Sequence, residues 1–141
     1  MPNRKLVRAF LAFVLLTAVD ACRRPTDPDP LVGTYLATTF TVSSAGQGTV
    51  NVLAEGGTLG LNVSNNYVVT GTLIVPPSLN GGTTFTASMA GVLDTTGSRI
   101  RFVQSADTFV RGLTFTLVEN RLEAVNQTVS GTTYELVLAR Q

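Results

Sequence analysis

The chain has 141 residues, ten Lys or Arg against nine Asp or Glu, and neither histidine nor tryptophan. With no imidazole and a single cysteine, it lacks the ligand sets of zinc, copper and non-haem iron sites, and the base of Ser-His and Cys-His catalysis. No basic cluster is long enough to neutralise several phosphates, which argues against a nucleic-acid partner. Because no carboxylate pair is placed for acid–base work either, we expect a non-enzymatic protein without metal or cofactor.

The N-terminus has the order of a bacterial secretory signal. Basic residues, among them Arg4 and Arg8, precede an apolar run over 9–19, which is too short to span a membrane as a helix of about 20 residues. Cys22 is the only cysteine and follows this run closely, a placement that resembles the lipidated cysteine of bacterial lipoproteins. We therefore expect residues 1–21 to be a signal peptide, and the resemblance implies a lipid anchor at Cys22.

Residues 22–30 are rich in proline and aspartate, a composition typical of an extended segment. It is either a spacer that holds a domain off a membrane surface or the plain disordered N-terminus of a secreted domain. The spacer is favoured because Cys22 offers a point of attachment. Arg23 occupies the position at which lipoproteins retained in the inner membrane often carry aspartate. By analogy, this implies that the protein is located in the cell envelope at the outer membrane, facing the periplasm.

From residue 31 to 141 the sequence has the pattern of one β domain. Apolar residues alternate with small or polar ones, and turn formers recur at short intervals. The pattern predicts eight strands and almost no helix, with strands at Leu31–Val42, Gly57–Val63, Tyr67–Val75, Thr84–Leu93, Ser98–Gln104, Phe109–Val118, Arg121–Gln127 and Thr132–Arg140.

The alternation indicates one apolar and one wet face, as in an antiparallel sheet around a single core. Because closure removes exposed edges, we predict an all-β fold: an eight-stranded antiparallel up-and-down barrel, with a β-sandwich as the alternative. The face of the first strand is ambiguous, since Leu36, Phe40 and Val42 compete with Tyr35 and Ala37 for the interior. The connection 43–56 carries apolar residues that we expect to pack over one end: Val50, Val52 and Leu53.

Gly33-Thr34-Tyr35 resembles the opening Gly-x-Trp element of lipocalin-like proteins, with tyrosine in the aromatic position. The Pro/Asp-rich segment followed by this strand is similar to small bacterial lipocalin-like lipoproteins. The resemblance covers roughly 31–140. It implies that Arg140 of the last strand packs over Tyr35 and that the barrel is of the lipocalin-like type.

Small residues along the strands suggest room inside for a small apolar ligand: Gly60, Gly71, Ala87, Gly91 and Ala124. The candidate ligand-binding residues are aromatic, or share the inward parity: Tyr35, Phe85, Met89, Phe102, Arg111, Phe115 and Tyr134. A regular strand would aim Arg111 inward, where it could bind a carboxylate, whereas a bulge or loop would turn it to solvent. The alternative function is an envelope module for protein–protein interaction or inhibition, in which these side chains simply fill the barrel.

Overall fold

The computed structural model describes residues 29–141, so the signal peptide, Cys22 and most of the proline-rich segment lie outside the described residues. The described chain forms nine antiparallel strands: β1 (Gly33–Ser44), β2 (Gly48–Asn51), β3 (Thr58–Val63), β4 (Val68–Val75), β5 (Phe85–Thr96), β6 (Arg99–Gln104), β7 (Thr114–Val118), β8 (Arg121–Val129) and β9 (Thr132–Arg140). Two short 3-10 helices, Pro77–Leu79 and Phe109–Gly112, lie in the connections, and no α-helix occurs between residues 29 and 141.

Eight of these strands close into an up-and-down barrel. The neighbours run β1-β3-β4-β5-β6-β7-β8-β9, and β9 pairs back with β1. The predicted eight-stranded antiparallel barrel is therefore confirmed, and the sandwich alternative is not observed. Closure leaves every barrel strand with a hydrogen-bonded neighbour on each side.

The ninth strand, β2, arises within the connection expected to be a loop. It pairs with the second half of β1, from Thr41↔Asn51 to Ser44↔Gly48, while β3 pairs with the first half. Val52 follows β2 and is only 2% exposed. The expected packing of this segment over one end of the barrel is thus confirmed, with a strand that the glycine-rich sequence did not suggest.

A β-bulge resolves the ambiguous face of β1. Its pairing with β9 shifts register between Ala37 and Thr39. Because one extra residue reverses the side-chain parity, Tyr35 faces inward before the bulge and Phe40 faces inward after it. Apolar residues of both competing sets thus reach the interior, whereas Leu36, which precedes the bulge, is 46% exposed on the outer wall.

The strand predicted over Phe109–Val118 is wrong in its first part. Residues 109–112 form a 3-10 helix, and β7 begins only at Thr114. The Gln127 side chain accepts a hydrogen bond from the Thr114 N–H at 2.8 Å and donates its own N–H to the Thr114 carbonyl. A side chain thus takes the place of a strand partner, next to a register shift in β8 between Ala124 and Gln127.

The hydrophobic core fills the barrel from one end to the other. Its large buried side chains come from all eight barrel strands and the connection before β7, and include Tyr35, Phe40, Leu59, Leu73, Met89, Phe102, Leu113, Phe115, Leu122, Leu136 and Leu138. We call the end at which β1 begins and β9 ends the base. The opposite end, which carries β2 and both 3-10 helices, is the mouth.

Candidate functional site

The base is sealed by Tyr35, whose side chain is fully buried. Its hydroxyl lies 3.0 Å from the carbonyl oxygens of Pro30 and Leu31 and donates to them. Arg140 is its cross-strand partner, and the Arg140 side chain passes so close to Gly33 that a Cβ there would lie 2.7 Å from Nε. Burial raises the pKa of the Tyr35 hydroxyl, which keeps it protonated as a donor. This end is therefore a structural closure.

A hydrogen-bonded turn fixes the first described residues to the base. The Tyr67 hydroxyl donates to Asp29 Oδ2, and the Leu31 N–H donates to Asp29 Oδ1 at 2.9 Å. These two hydrogen bonds hold the pKa of the Asp29 carboxyl below its ordinary value of 3.8, and the bond from Tyr67 has the larger effect. The chain consequently enters the barrel at the base.

The middle of the barrel is occupied by its own side chains. Met89, Phe102 and Phe115 are each 2% exposed or less and belong to the continuous core. The space beside Gly71 is taken up, because a Cβ there would lie 2.5 Å from a Leu61 methyl carbon and 3.2 Å from the methyl carbon of Met89. Gly71 thus admits larger side chains from the two adjacent strands, β3 and β5, and the space beside it is not the interior room for a ligand that the small residues suggested.

An apolar hollow of about 200 Å³ opens at the mouth. We call it the cup. Its walls come from the end of β1, from β2 and its following turn, from the end of β4 with the first 3-10 helix, and from the second 3-10 helix with the start of β9. The lining residues are Phe40, Val42, Ser44, Gln47, Gly48, Val50, Val52, Val75, Leu79, Phe109 and Tyr134. Only Ser44 and Gln47 bring polar side chains other than the tyrosine hydroxyl.

Three aromatic rings form one wall of the cup. Phe109 stacks on Tyr134 with ring centroids 4.3 Å apart and planes 4° from parallel, and it meets Phe40 at 5.5 Å with a 36° tilt. Such pairs hold each other in fixed orientations, so this wall is preformed. Burial raises the pKa of the Tyr134 hydroxyl, and the wall therefore carries no charge at neutral pH.

A second hollow of about 390 Å³ lies on the other side of this wall. We call it the side hollow; it is lined by Asp107, Thr108, Phe109, Arg111, Gly112, Val129, Ser130, Thr132 and Tyr134. Arg111 Nη2 and Asp107 Oδ1 form an ion pair at 2.6 Å, with 51% and 88% of the two side chains exposed. The side hollow is therefore polar where the cup is apolar.

A third hollow of about 750 Å³ runs along the outer surface over β3, β4 and β5. It exists because the outward residues there are small: Gly60, Thr72 and Ser88 are cross-strand partners in one row. This hollow is a saddle on the outer wall, whereas the cup is bounded by several elements. Of these two hollows, the cup at the mouth is therefore the one suited to hold an apolar molecule.

The structure distributes the candidate ligand-binding residues over four environments. Tyr35, Met89, Phe102 and Phe115 lie in the core, and Phe85 is 42% exposed at the start of β5. Arg111 belongs to the 3-10 helix and faces the side hollow, as the loop alternative for this residue anticipated. Tyr134 alone among the seven lines the cup.

Sequence reasoning missed most of the cup. Periodicity extends β7 back to Phe109, and the composition of the segment 76–82 predicts a plain surface loop around Leu79. The signal that predicts packing of Val50 over one end of the barrel is a large apolar residue in an otherwise polar connection. The same signal is present at Leu79 in the segment 76–82.

No family model matches the chain, and no curated protein or solved structure matches it. Between residues 29 and 141 no helix combines the length and apolar character needed to cross a membrane. Within the same range, no three His, Cys, Asp or Glu side chains are grouped as metal ligands would be.

Proposed function

We propose that this chain is an exported, lipid-anchored barrel that binds a small apolar molecule, or the apolar part of one, in the cup. The observation that carries the proposal is the apolar hollow at the mouth with its preformed aromatic wall. A binding role also agrees with a filled barrel, because the ligand then needs only the mouth. The proposed role is non-catalytic, and it requires neither metal nor cofactor.

The size of the cup limits the ligand. Apolar cavities of about 150 Å³ bind benzene, so a hollow of about 200 Å³ suits one aromatic ring or a short alkyl chain. Each buried methylene contributes about 0.8 kcal/mol, and six of them would give about 5 kcal/mol before the costs of association. Because about 5 kcal/mol alone corresponds to about 0.2 mM, the costs of association place the dissociation constants of simple six-carbon probes at about 1 mM or weaker.

Binding is tested by titrating 1-hexanol into the full chain carrying Cys22→Ser, which avoids detergent, and following amide and methyl shifts by NMR. Saturable shifts are expected at Val42, Val50 and Phe109. Val50→Trp fills the cup and should abolish them, whereas the control Val103→Trp adds the same ring on the outer wall. Absence of saturable shifts at the mouth, or equal binding by both variants, would refute the proposal.

The proposed location rests on the N-terminal sequence, which lies outside the described residues. We propose that the chain is exported from the bacterial cytoplasm, lipidated at Cys22 and held at the outer membrane, facing the periplasm. Cys22→Ser should move the protein from the membrane to the soluble fraction of the envelope. Retention of this variant in the membrane fraction would exclude lipidation as the anchor.

A second candidate function is an interaction module, and one observation favours it. Val68, Val92 and Val103 are cross-strand partners on the outer wall, and they are 42%, 46% and 52% exposed. A row of apolar side chains on an otherwise wet face is a feature of surfaces that bind another protein. A photo-crosslinker at position 92 should then capture one defined envelope protein that a crosslinker at Thr116 on the same outer surface does not.

A further inference from the structure

The two hollows at the mouth share a wall. Phe109 and Tyr134 line both the cup and the side hollow. A molecule seated in the cup is therefore separated from a polar compartment by one stacked pair of rings. A ligand that occupies both hollows would place its two ends in different chemical surroundings.

We propose that the ligand is a small amphiphile with an uncharged, hydroxyl-bearing head, which binds in the side hollow while its apolar tail fills the cup. This inference rests on the proposed function of the cup and specifies the ligand class. An alkyl or aryl glycoside has this chemistry.

The charges of the side hollow favour a neutral head. Arg111 and Asp107 are paired at 2.6 Å, so the hollow presents a cation and an anion side by side. A carboxylate head would approach Asp107 as well as Arg111, and an ammonium head would approach Arg111 as well as Asp107. A hydroxylated head can accept from the guanidinium and donate to the carboxylate at the same time.

The remaining polar groups have the same character. Ser130 and Thr132 bring hydroxyls that both donate and accept. Thr108 is already engaged, because its hydroxyl donates to the Met89 sulfur at 3.7 Å. The hollow thus offers hydroxyls and one ion pair, which suits several hydroxyl groups arranged on a small frame.

The backbone holds these groups in place. The Arg111 N–H donates to the Thr108 carbonyl at 3.3 Å within the 3-10 helix. Gly112 admits Val129 so closely that a Cβ at Gly112 would lie 2.9 Å from a Val129 methyl carbon, which joins this helix to the end of β8. The two sides of the side hollow are therefore packed against each other at this point.

The volumes agree with a head larger than the tail. The side hollow measures about 390 Å³ and the cup about 200 Å³. The polar compartment has room for a sugar-sized ring, and the apolar one for a short chain. A long-chain lipid would leave most of its tail outside the cup.

The test compares four probes with one six-carbon tail: n-hexyl glucoside, 1-hexanol, hexanoate and hexylamine. Each is titrated into the full Cys22→Ser chain by calorimetry and NMR, with the glucoside below its micelle-forming concentration. The glucoside should bind about tenfold tighter than hexanol, as expected for one added charge-assisted hydrogen bond, and the two charged probes no tighter than hexanol.

Matched variants locate the effect. Asp107→Asn and Arg111→Gln should each remove most of the glucoside preference and leave hexanol binding unchanged. The control Arg121→Gln disrupts a comparable ion pair, with Glu123 at 3.3 Å, near the base, and should change neither. Val50→Trp should weaken the glucoside together with hexanol.

The outcomes separate this inference from the proposed function. If hexanol binds at the cup and the glucoside binds no tighter, the proposal of a hydroxylated head is overturned and the proposed function of the cup remains. The same conclusion follows if hexanoate or hexylamine binds tightest. If Asp107→Asn and Arg111→Gln leave the glucoside preference intact, the side hollow is not its source. If none of the four probes binds at the mouth, the proposed function itself fails.

Discussion

Replacement of Phe109 by alanine tests whether the aromatic wall of the cup is an ordered part of the barrel that contributes to its stability. The ring makes two aromatic contacts, one with Tyr134 at 4.3 Å and one with Phe40 at 5.5 Å. Each such pair contributes about 0.5–1.5 kcal/mol beyond its buried area, and losing half-buried apolar surface adds about 1 kcal/mol. Phe109→Ala should therefore lower the free energy of unfolding by about 2–4 kcal/mol, or the melting temperature by about 10–15 °C.

The matched control is Phe85→Ala, the same substitution at the same end of the barrel. Phe85 is 42% exposed, and its loss should cost about 1 kcal/mol or less. Thermal and urea unfolding of both variants, followed by circular dichroism, gives the comparison. Equal destabilisation by the two substitutions would show that the stacked wall is not an ordered part of the barrel, and would remove the support for a preformed cup.

Gly91→Ala should lower the free energy of unfolding in urea by about 2–3 kcal/mol, because its Cβ would lie 1.9 Å from a carbonyl oxygen of β6. Gly60→Ala should be nearly neutral, because the nearest atom to its Cβ is the tip of a flexible leucine at 3.0 Å. Equal midpoints for the two would contradict the close approach of β5 and β6. The Asp29 carboxylate, with its lowered pKa, should stabilise the barrel above about pH 4, and this contribution should be lost as the pH falls through the pKa of the folded state. Tyr67→Phe removes the hydrogen bond to Asp29 and should flatten that part of the stability–pH curve. An unchanged curve would count against this hydrogen bond. Gln104 buries both amide atoms without a hydrogen-bond partner among residues 29–141, so Gln104→Met should raise stability by about 1 kcal/mol. A loss of that size would show the amide to be satisfied.

The barrel could be predicted because strand periodicity is a local signal. β3, β4, β6 and β9 begin and end within a residue of the expected positions, since each has turn formers at both ends and regular alternation between them. Closure followed from the short connections. These features depend on residues close together in the chain, and no distant contact overrides them.

The errors occur where distant residues decide the local structure. The bulge in β1 depends on pairing with β9, and the alternation of β1 shows only a conflict between Tyr35 and Phe40. The early start assigned to β7 fails because the amide of Gln127 binds Thr114, a contact between segments that periodicity does not relate. The same limit applies to the cup, since Phe40, Phe109 and Leu79 meet there from three separate parts of the chain.

The anchorage of Asp29 at the base has a consequence for how the molecule is presented. Because Asp29 lies at the base, the chain reaches the barrel at the end opposite the cup. The seven Cα–Cα steps from Cys22 to Asp29 can span at most about 25 Å, so the proposed lipid attachment would hold the base close to the bilayer. Under that proposal the mouth would lie at the end of the barrel away from the attachment point, and molecules in the aqueous compartment could enter it without first passing through lipid.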